Sequence, residues 1–143
     1  MYSKLRMIDI FIISNTSNIF MRGIIYAAAA CTAIGGILHL IMAPRLLEFN
    51  VASGAFFIIA GILQLFWVLP TIKQYSTIFN YIGIGGTIGL IVLWAITRVP
   101  NPITNRGGPV NEMGIAVQVF QVAFVALLAV IIAKKRKAEH RIA

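Results

Sequence analysis

Four long apolar stretches, each bounded by charged or helix-breaking residues, set the pattern along this chain. They cover about residues 23–42, 51–69, 78–97 and 112–133. Each spans roughly 20 residues, which at ~1.5 Å per residue crosses a hydrocarbon core of ~30 Å. Pro44 with Arg45 is expected to end the first, and Pro70 the second, because proline removes a backbone donor and crowds the preceding turn. The pattern predicts an all-α, integral membrane four-helix bundle folded as one domain.

Residues 1–22 read differently. Met1, Leu5, Ile8 and Ile12 recur at helical spacing, with Lys4, Arg6 and Asp9 elsewhere around the wheel. That amphipathic order predicts a short interfacial helix. A signal peptide is the rival reading, but the apolar run 10–13 is short for one and the polar run 14–18 offers no small-x-small site.

Small residues mark faces for close helix contact. Ala27, Cys31 and Gly35 repeat every four residues in the first span. Gly54 and Gly61 share a face of the second, with Gln64 one turn on. Gly85 and Gly89 form a GxxxG motif in the third. Gly35, Gly61, Gly85 and Gly89 are therefore expected to be helix-packing positions. Trp67 is expected in an interfacial aromatic belt.

Between the third and fourth spans lies a different kind of sequence. It carries Pro100, Asn101, Pro102, Arg106, the pair Gly107-Gly108 and Pro109. No helix crosses such a run, and its prolines reduce the entropy lost on ordering. It predicts a shaped connector able to face a partner. Asn111 is placed to cap the fourth span, and Glu112 suits the positive end of that helix.

Composition agrees with a lipid environment. The chain is 59% hydrophobic and 11% charged, with a mean hydropathy of +0.90, against roughly 25% charged residues in soluble domains. The net charge of +8 does not form a basic, aromatic-interleaved face, so nucleic acid is not an expected partner. Lys134, Lys135, Arg136 and Lys137 follow the fourth span directly and are expected to face anionic lipid. With four spans both termini share a side, and the Lys and Arg residues divide nine to three in favour of that side. The positive-inside rule then places both termini in the cytoplasm of a multi-pass cell-membrane protein, and the connector outside.

Candidate chemistry is sparse. Cys31 is the single cysteine, so a CxxC redox pair or a thiolate metal cluster is excluded. His39 and His140 are the only histidines, and His140 lies in the charged tail, which excludes a bis-histidine haem within the spans. No charged residue lies mid-span, where proton-coupled transporters usually carry one. Depth along the spans instead lets His39, Arg98, Glu112 and Gln118 converge beneath the connector as an outer polar cluster. Two readings of that cluster stand. It holds a metal, a small polar substrate or a neighbouring subunit. Alternatively His39 bonds a backbone carbonyl, Glu112 caps a helix and Arg98 reaches the headgroups. Gln64, Gln118 and Gln121 read first as interhelical hydrogen-bonding groups. A redox or metal module at His39 and Glu112, or a small transporter, are the alternative functions.

Several stretches resemble small archaeal four-span membrane proteins. They are Gly-Gly-Ile-Leu-His-Leu ending at Leu40, Phe56-Phe57 with Gly61 and Gln64, Trp94-x-x-Thr97-Arg98, and Pro-Asn-Pro-Ile-Thr-Asn-Arg-Gly-Gly-Pro-Val-Asn-Glu ending at Glu112. The likeness spans about residues 35–121, and the connector is its most specific part. Within that class the chain resembles accessory subunits of the ammonia monooxygenase of ammonia-oxidising archaea. The resemblance implies a non-catalytic subunit packed against other membrane subunits. It also implies no cofactor on this chain beyond bound lipid, with copper and catalysis on other subunits. Related modules place an acidic residue early in the fourth span, where this chain has Gln118 and Gln121.

Overall fold

In a computed structural model the chain is all helix, built from α1 (Tyr2–Phe49), α2 (Val51–Lys73), α3 (Thr77–Arg98) and α4 (Glu112–Glu139). The structure describes residues 2–100, 107–108 and 110–140, with residues 2–14 and 17 described in backbone only. All four helices contain a stretch long and apolar enough to cross a membrane, so this is a multi-pass membrane bundle.

Two features lengthen the helices beyond the sequence reading. The N-terminal segment is helical, but no break separates it from the first span, and α1 runs on without interruption. Pro44 and Pro70 lie inside α1 and α2 rather than ending them. Each forfeits one backbone hydrogen bond. In a bilayer any non-helical alternative leaves several polar groups unsatisfied, so the helix continues past the defect. Beyond Pro70 its own carbonyl accepts the Gln74 N–H at 2.9 Å.

The links are short and capped. Asn50 caps α2 through its side chain, which accepts from Ser53 N–H at 3.0 Å. Between α2 and α3, Gln74 adopts a left-handed conformation, φ 49°. Its side chain secures the turn at both ends: Nε2 donates to the Thr71 carbonyl at 2.6 Å, and Oε1 accepts from Asn80 Nδ2 at 3.1 Å. Asn111 caps α4 as expected, its Oδ1 accepting from Gly114 N–H at 2.7 Å.

Around the bundle the order is α2, α1, α4, α3. α1 lies along α2 and also packs on α4, α4 packs on α3, and α3 scarcely meets α2. The buried face of α1 is Ala28, Ala29, Thr32, Gly35, Gly36, His39 and Ala43. Ala27 of the expected stripe is exposed instead, because 3.6-residue periodicity carries a four-residue repeat off the contact line. Thr32 Oγ1 donates to the Gln64 carbonyl at 3.1 Å, tying α1 to α2. Near the end that carries the chain termini, Ala28, Phe124, Leu128 and Ile131 form the apolar core. Trp67, half-buried, packs against it.

The fourth helix passes straight through the basic cluster. Lys134 Nζ lies 4.0 Å from the centre of the Phe20 ring, and the Arg136 guanidinium lies 5.9 Å from that of Tyr81. These cation–π contacts anchor the end of α4 to α1 and α3.

Candidate functional site: a polar cavity beneath the connector

All four helices contribute to one cavity of about 610 Å³ at the connector end of the bundle. His39 comes from α1, Phe56 and Phe57 from α2, Trp94 and Arg98 from α3, and Gln118 and Gln121 from α4. Its volume falls within the ~300–1,000 Å³ range of small-molecule sites.

Each side chain is placed for a local reason. His39 faces inward on the buried stripe of α1. Its Nδ1 donates to the Gly35 carbonyl at 2.9 Å, and its ring lies 5.1 Å from that of Phe57. This bond leaves Nε2 as the acceptor nitrogen. Arg98 ends α3 and lies over the Trp94 ring, 5.2 Å from its centre. The returning connector closes on it. Gly108 N–H donates to the Thr97 carbonyl at 2.8 Å, and a Cβ on Gly107 would collide with the Arg98 carbonyl oxygen. Gly114 leaves room for the Trp94 indole: a Cβ there would lie 3.1 Å from Nε1.

The expected cluster is therefore assembled only in part. His39, Arg98 and Gln118 share the cavity, whereas Glu112 is exposed in the first turn of α4 and does not line it. Gln121 and Trp94 take part instead. Gln121 reads in sequence as an interhelical hydrogen-bonding group, but among the described residues neither of its amide atoms has a hydrogen-bond partner, nor does Gln118 Oε1. The indole of Trp94 lines the cavity beside the Arg98 guanidinium.

Of the connector positions, Pro100 is exposed. Asn101, Pro102, Arg106 and Pro109 lie outside the described residues. The packing glycines divide into two sets. Added Cβ atoms at Gly35 and Gly61 would fall 3.1 Å from Gln64 Oε1 and 2.8 Å from Leu40 Cγ, whereas Gly85 and Gly89 meet nothing within 4 Å. These two do not pack against any other helix among the described residues. Two residues further along a 100° helical step, they face roughly 200° away from the buried Gly83 and Thr87.

Among the described residues no group of three or more His, Cys, Asp or Glu side chains gathers in a metal-binding arrangement. No protein-family model, curated protein or solved structure matches the chain.

Proposed function

We propose that this chain is a non-catalytic accessory subunit of a multi-subunit membrane complex. The resemblance carried by its connector suggests the archaeal ammonia monooxygenase as that complex. In this reading copper and catalysis reside on other subunits. Both termini lie in the cytoplasm, as the nine-to-three Lys and Arg distribution implies, and the connector faces outward.

The observation that supports this reading most is the uncovered glycine face of α3. Gly35, Gly36, Gly61 and Gly83 all lie close to atoms of a neighbouring helix, whereas Gly85, Gly86 and Gly89 have open space around them. Lipid chains do not require a glycine surface, and glycine costs about 1 kcal/mol relative to alanine in a helix. A transmembrane helix from another subunit does use such a surface, since it permits backbone approach. Beside it, the poorly closed seam between α2 and α3 holds an apolar cavity of about 300 Å³ that includes Gly86. The basic residues Lys134 to Lys137 add a favourable site for anionic lipid.

A redox or metal module at His39 and Glu112 draws less support, because Glu112 does not line the cavity that His39 faces. The test of the subunit reading is purification from native membranes in mild detergent, followed by native gel separation and mass spectrometry. Stoichiometric co-migration with other membrane proteins is expected. A chain that migrates alone as a stable monomer overturns the reading.

A further inference from the structure

The cavity beneath the connector holds more hydrogen-bonding capacity than helix packing explains. Trp94 Nε1, Arg98 Nε, Gln118 Oε1 and both amide atoms of Gln121 are buried without a partner among the described residues. Gln121 is only 2% exposed. A buried polar atom left unpaired costs ~1–3 kcal/mol, so five on one surface favour an occupant that satisfies them.

These atoms sort by depth and by kind. Trp94 Nε1 stands beside Gly114. From that level Gln118 and Gln121 lie roughly 6 and 10 Å further along α4, at ~1.5 Å per residue. Of these unpaired atoms the upper level therefore offers N–H donors alone, one of them on a cationic side chain with no carboxylate partner among the described residues. The lower level offers acceptors and a donor together. The apolar rings of Phe56 and Phe57 line the same cavity.

The geometry points to a binding site for a ring-sized molecule oxygenated at both ends, carrying an anionic acceptor group for Arg98 and Trp94 and a hydroxyl for Gln118 and Gln121. A carboxylate is the complement of the upper pair, since a guanidinium and an indole N–H only donate. A hydroxyl complements the lower pair, donating to Gln118 Oε1 while accepting from Gln121 Nε2, so that four of the five atoms find partners and Gln121 Oε1 does not. A fatty-acid chain would satisfy the upper level and leave Gln121 unpaired. A cation would meet the Arg98 charge. The assignment uses this chain alone and does not depend on its having partner subunits.

The test uses the full chain in nanodiscs, titrated with 4-hydroxybenzoate and separately with benzoate, and followed by isothermal titration calorimetry. One saturable site for 4-hydroxybenzoate is expected, with benzoate weaker by about tenfold, the usual effect of losing a hydrogen bond of ~1.4 kcal/mol. Arg98→Gln weakens both ligands. Gln121→Leu weakens 4-hydroxybenzoate by about tenfold and leaves benzoate unchanged, since benzoate places no hydroxyl there. The same variant removes two unpaired buried atoms, so its thermal midpoint, read in parallel, verifies folding without ligand. Absence of saturable binding, as for a cavity that holds water only, overturns the assignment. So does equal loss of both ligands in Gln121→Leu.

Discussion

Gly36 and Gly61 meet backbone to backbone. A Cβ added to Gly36 would stand 2.8 Å from the Gly61 carbonyl oxygen, and one added to Gly61 would stand 2.9 Å from the Gly36 carbonyl oxygen. Neither obstacle is a side chain that can turn away. α1 and α2 are thus held at the separation that two glycines allow, and the position of His39 on the cavity wall depends on that separation. Replacing Gly61 with Ala forces the helices apart, at ~1–3 kcal/mol for overpacking. The better helix propensity of alanine returns up to about 1 kcal/mol. A lowered midpoint of thermal unfolding in detergent is expected. The Gly36→Ala, Gly61→Ala double variant should lose less than the sum of the two, because the first separation relieves the second clash.

Gly83 and Gly85 are two residues apart and should respond with opposite signs. A Cβ on Gly83 would stand 2.5 Å from Trp67 Nε1 and 3.2 Å from Leu128, while one on Gly85 meets nothing within 4 Å. Gly83→Ala displaces the indole from the apolar core and should lower the unfolding midpoint. Gly85→Ala adds helix propensity without a clash, and should leave the midpoint of the isolated chain unchanged or raise it by up to about 1 kcal/mol equivalent. The same thermal scan on both variants decides this.

The return of the connector is held by Gly107 and Gly108. A Cβ on Gly107 would collide with the Arg98 carbonyl, and one on Gly108 would collide with Arg98 Nη1. The first obstacle is backbone and cannot move without unwinding the end of α3. The second is the far end of a flexible side chain. Gly107→Ala should therefore loosen the connector more than Gly108→Ala. In proteoliposomes, limited proteolysis of the connector should be faster for Gly107→Ala than for Gly108→Ala, with wild type slowest. Equal rates for the two variants would show that the two obstacles yield equally.

The four spans were legible because a bilayer leaves few alternatives: twenty apolar residues must form a helix, and Asn111 before Glu112 announced the start of the last one. The helix ends were less so. Proline stops a helix in water, but Pro44 and Pro70 continue theirs, since lipid penalises unpaired backbone more than it penalises one lost bond. Gln74 in a left-handed conformation has no local signal at all; it is held by Thr71 and by Asn80, six residues away, through contacts that exist only after folding. The candidate site was half legible. Depth alone grouped His39, Arg98 and Gln118, because antiparallel spans bring their connector ends together. Depth does not specify azimuth, so it groups Glu112 with them although Glu112 is exposed and does not line the cavity; Gln121 shares the helical face of Gly114 and Gln118, whereas the inward turn of Trp94 has no signal in the sequence.

Whether the uncovered face of α3 meets another subunit is decided by enlarging it. Among the described residues, no atom of another helix lies within 4 Å of a Cβ added at Gly89 or at Gly85. Leucine at both positions should leave the isolated chain folded, because the new side chains project into space that lipid already fills. A partner helix resting on backbone at those two sites would be pushed outward by the bulk of two leucines and would lose its close contact. Expressed in its native membrane, the Gly85→Leu, Gly89→Leu variant should reach normal levels yet yield at least about tenfold less co-purified membrane protein, a factor equal to ~1.4 kcal/mol of lost association. Undiminished recovery of the same proteins would show that the glycine face of α3 is not where they bind.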